Sequence, residues 1–93
     1  MLSQTPINFQ NVKPENVDKE VLRLGIIAEL DAINLYEQLA ATTKNENVSK
    51  ILLDIAKEEK THVGEFQALL LQLDSEQTKE LYEGKKEVEE KLI

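Results

Sequence analysis

The chain has 93 residues, 41% of them hydrophobic, with 18 acidic against 11 basic side chains and a net charge of −7. That length suits one small domain, and the acid excess argues against nucleic-acid phosphate as a partner while favouring cations. The absence of Cys excludes disulfides, zinc–thiolate sites, iron–sulfur clusters and a rubredoxin-type iron centre within it.

Residues 1–16 carry both prolines with several Asn, Gln, Ser and Thr, and read as an extended arm. Met1–Pro6 has neither the basic start nor the apolar centre of a secretory leader. Asn16 or Asp18 is placed to cap a first helix that runs to about Thr42. A short polar turn over Thr43–Glu46 follows, with Asn45 suited to cap a second helix from about Glu46 to Leu73. Asp74 and Gln77 have the spacing of a capping box for a third, weaker helix. Gly84 is expected to interrupt that helix and leave Lys85–Ile93 as a charged end. No strand pattern appears, and charges break every apolar run, so no membrane span is expected. The expectation is a soluble intracellular all-α protein: an arm over 1–16, a two-helix hairpin over 17–74, and a short C-terminal helix and tail over 75–93.

Two helices of about 25 residues joined by about four must fold back as an antiparallel hairpin roughly 37 Å long. Their apolar coverage exceeds what one hairpin can hide. The first helix carries Leu22, Ile26, Ile33, Tyr36 and Ala40 on one stripe and Leu24, Ile27, Leu35 and Leu39 on its neighbour. The second adds Ile51, Leu53, Val63, Leu70 and Leu71 beside its main seam. Large exposed apolar patches mark interfaces, so two hairpins are expected to pair into a four-helix bundle.

The main seam of the second helix reads Val48, Leu52, Ile55, Glu59, His62, Phe66, Leu69, Leu73, in alternating steps of four and three. Its two middle positions are a Glu and the only His. Burying ionisable groups without compensation is costly, and a metal ion is the natural compensator. Glu29 interrupts the Leu22–Ala40 stripe of the first helix and offers a third ligand, with Tyr36 two turns further on. Twofold pairing would double the set to four Glu and two His, the ligand list of a di-iron or di-manganese carboxylate site. Four ionised carboxylates would balance two divalent ions. Oxygen and imidazole donors suit iron or manganese. The plain alternative is a coiled-coil seam whose polar residues set register.

The run from Ala28 to Glu37, with Glu29 and Tyr36 seven apart, and the run from Glu58 to His62 resemble the paired motifs of the ferritin-like superfamily. Within it the chain is similar to the encapsulated ferritins, over about residues 20–83. That resemblance implies Glu29, Glu59 and His62 as iron ligands, two Fe per subunit pair, and Tyr36 as the tyrosine beside the centre. It implies oxidation of Fe(II) to Fe(III) by dioxygen, a homodimer assembling into a ring, commonly a decamer, and an encapsulin shell as partner and location. Manganese stays open as the metal. Ala28 and Leu35 depart from the family's acidic and Trp positions, which speaks against a second, entry-type metal site. Glu89–Ile93 do not look like the family's shell-docking peptide.

Other residues have two readings. Tyr36 could serve the oxygen chemistry or be a packed aromatic with a bonded hydroxyl. Asp31, Glu37, Glu58 and Glu65 could guide Fe(II), or be a solvated face. Tyr82 reads as packing, and Lys57, Lys60 and Glu65 as surface charge pairs. Two further functions stay open: a rubrerythrin-like or manganese-dependent peroxidase or catalase, and a non-catalytic helical dimerisation module. The missing Cys and the short chain count against the former.

Overall fold

The computed structural model describes residues 8–93, so the first part of the expected arm, including Met1–Pro6, lies outside the described residues. Two single-turn 3-10 helices, Phe9–Asn11 and Pro14–Asn16, lead into α1 (Val17–Thr42), α2 (Glu46–Leu73) and α3 (Ser75–Lys91). The described residues contain helices and no strands.

Residues 8–16 therefore correct the extended arm. Asn8 Oδ1 accepts the Gln10 N–H at 3.0 Å and winds the first turn. Pro14, with its fixed φ and missing N–H, opens the second. That turn runs straight into α1. Asn16 consequently has helix-like backbone angles, φ −105° and ψ −2°, and makes no side-chain capping bond, contrary to expectation. Asp18 and Glu20 fall in the first turn of α1, where negative charge suits the helix dipole.

The hairpin turn is built as its residues dictate. Asn45 Oδ1 accepts the N–H groups of Asn47 and Val48 at 2.9 and 3.1 Å, satisfying two free donors of α2. Asp74 Oδ1 likewise accepts the Gln77 N–H at 3.0 Å and starts α3. Gly84 does not interrupt α3, which runs unbroken to Lys91. One glycine costs only about 1 kcal/mol in a helix, and the neighbouring sequence is rich in good helix formers, with Lys85 and Glu89 paired at i and i+4.

The α1–α2 contact buries Ile33, Ala40, Ala56 and Leu70. On α2 the expected seam faces α1 through its middle, where Phe66 meets Gly25, while the most buried positions, Ala56 and Leu70, lie beside it and Val48, Leu69 and Leu73 at its ends are 45–50% exposed. A single neighbour covers only one side of a helix that is apolar on several. Leu30 and Leu39 on α1 and Ile51 and Leu53 on α2 are also exposed. The molecule extends over 47 × 44 × 20 Å, and α3 leaves the hairpin at Asp74 with no buried residue of its own.

Candidate metal centre

Glu29 lies midway along α1, while Glu59 and His62 lie midway along α2, three residues apart and so on one side of it. Antiparallel pairing brings the three together, and one ligand atom from each lies within 4.8 Å of the others. His62 Nδ1 stands 3.3 Å from Glu59 Oε2 and 3.6 Å from Glu29 Oε2. The shorter contact is a hydrogen bond when the ring proton is on Nδ1.

The longer one is not, and Glu29 Oε2 is buried with no hydrogen-bond partner. An unsatisfied buried acceptor is costly, so this atom calls for a donor or a cation. Two carboxylates and an imidazole are hard and borderline donors of the kind that hold iron or manganese. The cluster sits at the open edge of the hairpin rather than inside it. Glu29 and Glu59 side chains are 19% and 20% exposed, and His62 is 45% exposed. The imidazole side of the cluster is thus open to solvent.

The remaining sequence candidates divide. Tyr36 is half-buried on α1. Among the described residues no hydrogen bond joins its hydroxyl to Glu29, Glu59 or His62. Glu37 is engaged across the hairpin by Lys60 at 3.0 Å, so this lysine ties α2 to α1. Asp31 is half-buried and has a partner, while Glu58 and Glu65 are exposed.

Sequence reasoning read Asp74 only as a cap and missed its second role. Asp74 is buried, and Arg23 Nη2 donates to its Oδ2 at 2.9 Å from α1, 51 residues away. The Gln77 N–H holds the carboxyl below the ordinary range; Lys19 and Arg23 reinforce this, and burial opposes it. This clamp fixes where α3 leaves the hairpin. An ion pair so distant in sequence leaves no local signal.

The sequence signature of the family described as Rubrerythrin matches residues 20–92. The chain belongs to the rubrerythrin family. The candidate ligands Glu29, Glu59 and His62 all fall inside the matched span. The chain is 60% identical over 92 residues to a "Ferritin-like-encapsulin shell fusion protein" of Pyrococcus furiosus, covering 97% of this chain and 27% of that protein. It is 46% identical over 56 residues to the "Encapsulin nanocompartment cargo protein EncC" of Myxococcus xanthus, covering 60% of this chain and 43% of that one. This rubrerythrin-family chain therefore spans less than half the length of either relative. A crystal structure of the encapsulated ferritin domain from Pyrococcus furiosus superposes with a TM-score of 0.82 at 58% identity, covering 97% of this chain and 92% of that one. The three-helix architecture is that of the encapsulated ferritin domain.

Proposed function

We propose that this chain is a ferroxidase, oxidising Fe(II) to Fe(III) at a two-ion carboxylate centre completed by a second copy of itself. The observation that carries the reading is the cluster Glu29–Glu59–His62, with its buried, unbonded Glu29 Oε2, at the open edge of a hairpin. Each protomer would bring two carboxylates and one imidazole, so a pair offers four negative charges to two divalent ions. Binding would replace the 3.3 Å contact between His62 Nδ1 and Glu59 Oε2 and give Glu29 Oε2 its missing partner. Bound iron supplies the electrons, one from each Fe(II), and dioxygen accepts them.

The protein's own part is geometry and charge. Glu29 comes from one helix and the Glu59–His62 pair from another, so helix packing fixes the distance between ligands. Tyr36 would stand beside the completed centre. The exposed apolar side chains flanking the cluster on α2, Val48, Leu69 and Leu73, support pairing through this same face. Pairing into a dimer and then a ring, commonly ten chains, is the assembly that the resemblance to the encapsulated ferritins implies. The names of the Pyrococcus and Myxococcus relatives support an encapsulin shell as partner and a nanocompartment as location.

The test is aerobic Fe(II) oxidation by the full chain, followed with an oxygen electrode and by ferric absorbance. Oxidation lost in Glu59→Ala and His62→Ala, with helical circular dichroism unchanged, supports the reading. Wild-type rates in either variant overturn it. Rubrerythrin-family membership makes peroxide the alternative oxidant, and a faster anaerobic reaction with peroxide than with dioxygen would favour it.

A further inference from the structure

Glycine weakens a helix interior relative to alanine, so a glycine in a packed helix needs a local reason. Gly64 and Gly84 have open space where a Cβ would stand, with nothing within 4 Å. Gly25 does not. A Cβ there would lie 3.2, 3.3 and 3.4 Å from three carbons of the Phe66 ring. Gly25 has no positive φ, so what the position demands is space rather than conformational freedom.

Where this contact falls gives it meaning. Gly25 is one turn before Glu29 on α1, and Phe66 is one turn beyond His62 on α2. In an antiparallel hairpin these offsets run the same way, so the Gly25–Phe66 contact forms the layer next to the Glu29–Glu59–His62 cluster. Phe66 also shares the α2 face of Glu59 and His62, being seven and four residues away.

We propose that Gly25 is a positioning residue for the metal centre: it lets the Phe66 ring lie against the α1 backbone and so sets the helix separation at which Glu29 meets Glu59 and His62. This rests on the metal reading above. A methyl group at Gly25 would push the ring or the helix by a few tenths of an ångström. Metal–ligand distances are held to about 0.2 Å, so a shift of that size at the adjacent turn reaches the ligands.

The experiment is a Co²⁺ titration of the full chain, reading affinity and the visible absorption bands, for wild type and four variants. Gly25→Ala is expected to weaken Co²⁺ binding at least about tenfold, the usual scale for supporting residues of a metal site, and to alter the bands. Gly84→Ala, the same change where space is free, leaves both unchanged. Adding Phe66→Leu to Gly25→Ala restores binding by making room on the other side. Phe66→Trp crowds the same contact from α2 and weakens binding as well, and it decides the matter if Gly25→Ala does not fold. Wild-type affinity and bands in whichever of these two variants folds overturn the proposal. Wild-type protein that takes up no Co²⁺ overturns the metal reading and this inference together.

Discussion

Replacing Glu29 with glutamine should move stability in opposite directions with and without metal. In the metal-free protein Glu29 Oε2 is buried and makes no hydrogen bond, on a side chain only 19% exposed. An unpaired buried acceptor costs about 1–3 kcal/mol, and partial exposure puts Glu29 near the lower end, about 1 kcal/mol. Glu29→Gln keeps the shape, removes one of two neighbouring negative charges, and adds an amide donor beside Glu59. In excess chelator the variant should therefore melt above wild type, by roughly 4–8 °C for a chain of this size. With Mn²⁺ at a hundred times its dissociation constant, wild type gains about 2.7 kcal/mol, and the variant, missing a ligand, gains little. The order of melting temperatures then reverses. Thermal melts by circular dichroism at one fixed protein concentration read both arms. A variant that melts below wild type in chelator, or that gains as much from Mn²⁺, refutes the reasoning.

Three further outcomes are expected. Asn45→Ala removes the acceptor for two N–H groups of α2 and should cost about 1 kcal/mol in urea unfolding; an unchanged midpoint would deny the cap its role. Because the Asp74 carboxyl is held below its ordinary value in the folded chain, its contribution is present above the unfolded value of about 3.9 and is lost as pH falls through the lowered one. Asp74→Asn should accordingly be less stable than wild type at neutral pH, with the difference shrinking below about pH 4; parallel stability curves from pH 7 to 2 would contradict this. Leu69→Glu places a charge on an apolar side chain that the hairpin leaves half exposed, so it should weaken self-association in sedimentation while leaving helix content intact.

Much of the fold was legible because its signals are local. The 3.6-residue periodicity defines α1 and α2, and the Asn45 and Asp74 caps lie within three residues of the N–H groups they satisfy. The clustering of Glu29, Glu59 and His62 was legible for a related reason. The i, i+3 spacing of Glu59 and His62 is local, and a single interrupted stripe on α1 left Glu29 as the matching position. What escaped depends on neighbours that spacing does not name. Ala56 and Leu70, beside the seam, are buried while Leu69 of the seam is half exposed, because α2 is apolar on several sides and the packing partner selects among them. The Arg23–Asp74 clamp joins residues 51 apart, and Lys60 reaches Glu37 on the other helix rather than a neighbour on its own. Gly84 does not break α3 because the helix formers around it prevail.

Native mass spectrometry of the chain before and after anaerobic Fe(II) addition tests the shared-site account most directly, since it reports subunit number and bound ions in the same peak. Iron is expected to drive monomers into pairs or multiples of pairs, with two ions per pair and none retained by the monomer. Monomers that each keep a full complement of iron, with association unchanged, would contradict it.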